Sequence, residues 1–158
     1  MISLIINLVV AAIWMLLQSE ASLLVFVVGW SIGFFLLTLF RPIVGSGSYV
    51  RRTFGLVRFL VIFIRAFVFS SVQLMAISLF RPRSSLQPRV ITYDVRGLSL
   101  AETLILSHSV SLTPGTTTID VAPDRSRLVL HVLDAPDPER VRTEIDRTLR
   151  SAILAFTR

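Results

Sequence analysis

Charged residues are absent from Ile2 to Leu17 and again from Ala21 to Phe40, two apolar runs parted only by Gln18-Ser19-Glu20. At about 1.5 Å of rise per residue, such runs reach about 25 to 30 Å as helices, close to the hydrocarbon thickness of a bilayer. The three residues between them leave room for a tight connection only, so the pattern predicts a two-helix transmembrane hairpin within residues 1–41. The tip carries Glu20 and no base, whereas the far end runs into Arg41 and, across a cytoplasmic loop at 42–52, Arg51 and Arg52. Basic residues favour the cytoplasmic side, which puts the tip outside and both hairpin ends inside. Trp14, near the tip, suits an interfacial aromatic, for which plain lipid contact is the ordinary role.

A third apolar stretch, 53–80, is long enough to span yet carries Arg58 and Arg65 well inside it. An arginine near the bilayer centre costs at least about 2.5 to 3.5 kcal/mol, which argues against a simple lipid-facing span. Arg51, Arg58 and Arg65 are seven apart and nearly superpose on a helical wheel, with Gln73 close to the same stripe. The expectation is one long, Phe-rich amphipathic helix in the cytoplasmic interface, its stripe meeting anionic headgroups or a partner; a third transmembrane helix is the alternative. Leu-Phe-Arg-Pro occurs at 39–42 and again at 79–82, an apolar anchor followed by a headgroup-level arginine and a helix-stopping proline. A span here would also place Arg81, Arg83 and Arg89 outside, against the positive-inside bias.

Residues 81–88, rich in Ser, Pro and Arg, read as a linker, and 89–158 as a small cytoplasmic α+β domain. Arg89 to Val95 alternates like a strand, and Ser99 with Glu102 has the capping-box spacing, opening a helix to about Ser109. Leu112-Thr-Pro-Gly-Thr116 breaks that helix. Thr116 to Val121 and Arg127 to Leu133 are β-rich runs joined by the turn residues Ala122 to Ser126. From Asp134 to Pro138 a last helix starts, with Val141, Ile145, Leu149, Ala152, Ile153 and Phe156 recurring at three and four. The order is β-α-β-β-α. A core this small leans on a partner or on the amphipathic helix.

Composition agrees with a membrane protein: 53% of residues are hydrophobic, 16% are charged, and the mean hydropathy is +0.74. The net charge of +6 is unevenly held. Residues 1–83 carry seven arginines against Glu20 alone, while 84–158 carry nine arginines against nine acids. The basic excess therefore belongs to the membrane half, where it reports orientation and anionic headgroup contact and not nucleic-acid binding. Cysteine is absent, excluding disulfides and thiolate metal sites. The amino terminus lacks the basic n-region of a signal peptide and reads as retained.

Candidate chemistry is sparse. A proton or cation relay requires titratable groups inside the spans, and neither apolar run has one. Asn7 is the one strongly polar side chain deep in the first run, placed either to hydrogen-bond another helix or to face water near the cytoplasmic end. Gly29 and Gly33 form a small-xxx-small pattern that lets a neighbouring helix approach closely, although glycine is common in such helices. Glu20 is an ordinary surface charge. His108 and His131 lack metal-site spacing, Ser107, His131 and Asp134 lack the elbow of a hydrolase triad, and Gly45-Ser-Gly47 lacks the lysine of a phosphate loop. No enzyme, cofactor, metal or directly bound small-molecule substrate is expected.

Ser109-Val-Ser-Leu-Thr-Pro-Gly-Thr116, the Thr-Ile-Asp-Val strand at 118–121 and His131-Val-Leu-Asp134 resemble the MrpE (MnhE or PhaE) family, one of the subunit families of Mrp-type sodium/proton antiporters. The resemblance runs along nearly the whole chain. It implies a multi-pass plasma-membrane subunit partnered by other antiporter subunits, with sodium and proton movement in the large antiporter-like subunits. The motif Leu112, Thr113, Pro114, Gly115 and Thr116 supplies turn residues and no ion ligand. A homo-oligomeric channel packed through Gly29 and Gly33, with Arg58 and Arg65 lining an anion path, is one alternative, and a membrane-tethered binding module is the other. Genomic neighbours separate them, since an antiporter operon favours the assembly role.

Overall fold

The computed structural model describes residues 2–158, Arg83 by its backbone alone. The chain forms two compact units, one up to Phe54 and one from Gly55. The division falls within a helix and not in the 81–88 segment, because the helix beyond Gly55 contributes its own apolar side chains to the core of the second unit.

In the first unit, α1 (Ile2–Leu16) and α2 (Leu23–Leu39) pack antiparallel, with Trp14 against Gly29 and Val10 against Gly33. Ser22 caps α2 through its hydroxyl, which accepts from Val25 N. At 15 and 17 residues the two helices are about 23 and 26 Å long. A short turn of helix, α3 (Arg41–Val44), ends on Gly45 at φ +67, and α4 (Gly47–Phe80) follows at once. Helix therefore begins six residues before position 53, since nothing between Gly47 and Thr53 interrupts it. Ser46 donates to the Leu37 carbonyl at 2.5 Å and is fully buried, tying the start of α4 to the end of α2. Of the described helices, α4 alone combines 18 or more residues with membrane-like hydropathy, while α1 and α2 are apolar helices of 15 and 17 residues.

The second unit is α+β. Three antiparallel strands, β1 (Arg89–Asp94), β2 (Thr116–Val121) and β3 (Arg127–Val132), form a sheet in the order β1-β3-β2. Alternation along β3 sends Leu128, Leu130 and Val132 inward and Arg127 and His131 outward. The inward face is covered by α5 (Leu100–Leu112) and a C-terminal helix built from α6 (Pro138–Ile145), a π turn (Asp146–Arg150) and α7 (Ser151–Thr157). Phe59 joins that core, with Ile62 and Phe63 packed at its edge.

Candidate functional site

The glycine positions in α2 are points of helix contact. A Cβ on Gly29 would stand 2.8 Å from Trp14 Cβ, and one on Gly33 would stand 2.1 Å from Asn7 Oδ1 and 3.2 Å from Val10. Trp14 thus lies on α2 and is only part-exposed. Asn7 is fully buried and donates through Nδ2 to the Tyr49 hydroxyl at 2.8 Å, joining α1 to the first turns of α4. Among the described residues its Oδ1 has no hydrogen-bond partner, and it points at Gly33, where a side chain would displace it. Phe34 edges against both Tyr49 and Phe54, completing an aromatic seam inside the first unit. Tyr49 gave no sequence signal, because its partner lies 42 residues away.

In the second unit, α4 presents two unlike faces. Gly55 lets α7 approach so closely that a Cβ would lie 2.8 Å from the Ala155 carbonyl oxygen and 2.9 Å from Phe156 Cβ. The Phe59 and Phe156 rings are 5.4 Å apart. On the opposite face Val57, Val61, Ile64, Val68, Val72, Met75 and Leu79 are 51% to 68% exposed. Arg58 and Arg65 sit on one boundary between these faces, both exposed. Arg51, on the same stripe, belongs to the part of α4 in the first unit and is exposed too.

The Leu112–Thr116 motif is the handover from α5 to β2. Thr113 caps the helix: its N–H is shared between the Ser109 and Val110 carbonyls, and its hydroxyl donates to Val110 at 2.7 Å. The Thr116 hydroxyl lies 2.8 Å from the same Val110 carbonyl. Gly115 adopts φ +95 with nothing within 4 Å of a built Cβ, so backbone conformation alone calls for glycine there. Its carbonyl accepts from Leu133 N at 2.9 Å, fastening the turn to the end of β3. The turn also borders a cavity of about 200 Å³ against the Ser70, Gln73 and Ile77 side of α4. Leu112 itself is exposed.

Buried polar groups in this unit tie distant segments together. Glu102 closes the capping box with Ser99 and also accepts from Thr157 Oγ1 at 2.7 Å and Arg158 Nε at 3.2 Å. Arg158, with help from Thr157 and the Ser99 amide, lowers the Glu102 carboxyl from 4.5 to about 2. Tyr93 donates to Asp146 Oδ1 at 2.5 Å, and burial followed by that carboxylate pushes its hydroxyl well above the usual phenol range. Asp134 is engaged by Arg81 and by Gln87 N, and His108 Nδ1 bonds the Leu104 carbonyl of its own helix. Among the described residues no three His, Cys, Asp or Glu side chains gather as a metal set. These are the bonds of a braced scaffold.

The model of the family described as Na+/H+ ion antiporter subunit (MNHE) matches residues 7–156. The E-type Na(+)/H(+) antiporter subunit of Alkalihalophilus pseudofirmus is 28% identical over 152 residues, covering 96% of each chain. Its counterpart in Bacillus subtilis is 27% identical with the same coverage. Among solved structures, a chain of the Mrp complex from Dietzia sp. DQ12-45-1b shares 25% identity at a TM-score of 0.50, covering 65% of this chain and 96% of that one. A chain of the archaeal membrane-bound sulfane sulfur reductase shares the fold, with a TM-score of 0.56, 18% identity, and 95% and 98% coverage. With nearly its full length under one family model and full-length relatives of a single description, the chain belongs to the MNHE family of Na+/H+ ion antiporter subunits.

Proposed function

We propose that this chain is a structural and assembly component of a multisubunit Na+/H+ antiporter in the plasma membrane, and not itself the ion path or an enzyme. The observation that carries the division of labour is that Ile2 to Leu17 and Ala21 to Phe40 contain no ionisable side chain. A proton or sodium path through hydrocarbon is built on such groups. Membership of the antiporter-subunit family supplies the transport context, and the E-type relatives supply the partners: other subunits of an Mrp-type complex.

In this reading residues 1–41 span as a hairpin held by Gly29, Gly33 and Asn7, and 89–158 lie in the cytoplasm. The polar braces around Glu102, Tyr93 and Asp134 keep the domain rigid enough to dock on neighbours. The Leu112–Thr116 turn shapes a surface that a neighbouring subunit can read.

The test is a mild-detergent pull-down of the tagged chain from native membranes, followed by mass spectrometry. Large antiporter-like subunits in fixed ratio are expected. Recovery of the chain alone, or only as a homo-oligomer, would overturn the proposal and favour a stand-alone channel, for which reconstituted conductance is the next measurement.

A further inference from the structure

We infer that the second-unit part of α4, from Gly55 to Phe80, lies in the plane of the cytoplasmic leaflet, seating the α/β domain on a surface rich in anionic phospholipid. The inference deepens the proposed membrane role by assigning the ligand of the arginine stripe: phosphate headgroups.

The packing of α4 bears on its orientation. From Gly55 to Phe63 its inner face is pressed onto α7 and the core, and from Ala66 to Ile77 it lines the cavity beside the Thr113–Thr116 turn. Packed against the domain at first and facing it across the cavity beyond, α4 runs beside it for about 33 Å, as long as a bilayer's hydrocarbon core is thick. A helix crossing the membrane would carry the α/β domain into the hydrocarbon with it. Both edge strands, β1 and β2, would then present unpaired backbone groups to lipid, which membrane proteins avoid. Lying flat, the same helix keeps the domain in water on one side and its exposed aliphatic stripe in acyl chains on the other.

The side chains are graded accordingly. The stripe from Val57 to Leu79 repeats at intervals of four and three and is aliphatic throughout. Arg58 and Arg65 stand about 100° and 120° around the helix from Phe59, at the level where headgroups meet a half-immersed helix. On the other flank Leu60 and Phe63 of α4 continue into Leu104 and Leu112 of α5, extending the apolar surface. Charge selects the occupant. From Gly55 to Phe80 there is no acid and the two charges are Arg58 and Arg65, so this face complements phosphate and offers nothing to a basic partner.

The chain contains no cysteine, so single-cysteine spin labels report cleanly. Labels are placed on the full chain at positions 57, 64, 72 and 79 in phosphatidylcholine nanodiscs with and without phosphatidylglycerol, and depth is read from oxygen against a polar nickel relaxant. One shared depth at all four positions, deeper with phosphatidylglycerol, is expected. In Arg58→Gln/Arg65→Gln that phosphatidylglycerol effect is lost, while a label-to-label distance between α4 and α7 stays unchanged, showing the fold intact. Depth that ramps at about 1.5 Å per residue overturns the in-plane placement. Labels immobilised and shielded from oxygen overturn lipid as the occupant in favour of a protein helix, and depth indifferent to phosphatidylglycerol overturns the headgroup assignment. A chain that lies in plane yet captures no antiporter subunits sinks the proposed function alone, whereas ramped depth in an assembled complex sinks this inference alone.

Discussion

Gly55→Leu asks whether α4 is seated on the α/β domain by close approach of the two helices. The atoms that a Cβ at position 55 would meet are the Ala155 carbonyl oxygen and Phe156 Cα and Cβ, at 2.8 to 3.0 Å. Two of these three are backbone, so they yield only if α7 moves as a body. Ordinary carbon contacts sit at about 3.5 to 4.0 Å, so even a methyl forces the helices apart by several tenths of an ångström. Overpacking of that kind costs about 1 to 3 kcal/mol. A leucine adds atoms that fit only if α4 lifts off, and Phe59, now 7% exposed, then loses much of the roughly 2 to 3 kcal/mol its burial contributes. Against this, removing a glycine from a helix interior returns up to about 1 kcal/mol of intrinsic helix stability. The net expectation is a loss of about 2 to 4 kcal/mol at the α4–α7 contact. Because α4 itself becomes a better helix, loosening cannot be charged to fraying. Native-state hydrogen exchange on the full chain in detergent reads the loss as roughly 30-fold or greater acceleration of α7 amides. Gly47→Ala is the control, since a Cβ there meets only the Arg41 side chain at an ordinary 3.7 Å. Exchange in Gly55→Leu within about threefold of wild type would refute the reasoning.

Gly33→Ala should destabilise the α1–α2 pair by about 1 to 3 kcal/mol, as the new methyl displaces Asn7 Oδ1 and strains the bond to Tyr49. In an Asn7→Ala background the same substitution should cost distinctly less. Thermal unfolding in detergent over the four-variant cycle would show this, and strict additivity would count against the contact. The second unit should weaken in acid through Glu102. Its carboxyl is lowered in the folded state, so the stabilisation is complete above pH 4.5 and is lost as pH falls from there toward 2. Allowing for the solvent exposure of Arg158, the loss is about 2 to 3 kcal/mol, and Glu102→Gln should flatten the dependence in exchange measurements on α5 between pH 6 and 3.

Local rules made much of the second unit readable. Ser99 and Glu102 form the capping box that their spacing announces, β2 occupies Thr116 to Val121, and Gly115 takes the positive φ expected of a glycine in a turn. Each depends on neighbours within a few residues. Features that depend on remote partners left no trace. Glu102 reaches Thr157 and Arg158 across 55 and 56 residues, Tyr93 reaches Asp146 across 53, and the π turn at Asp146–Arg150 sits in an unbroken helical repeat. Gly55 looks like any glycine in an apolar helix until α7 is seen against it.

The long helix shows why hydropathy and structure divide the chain differently. Averaged over an 18-residue window, the apolar part of α4 is uniformly hydrophobic, because the face that meets the domain and the face left exposed are both built mainly of Val, Ile, Leu and Phe. Periodicity detects a contrast between apolar and polar sides, and it has none to detect between protein-facing and lipid-facing ones. The arginines break this degeneracy. At seven-residue spacing Arg58 and Arg65 trace one line along the helix, and a line of cations between two apolar faces marks where two different surroundings meet. A span would need those two charges neutralised at depth, whereas an in-plane helix brings both to the same headgroup level at once. The spacing that looks like an obstacle to membrane insertion is therefore the feature that fits an interfacial helix, and the depth of four labels along the opposite stripe decides between the two placements.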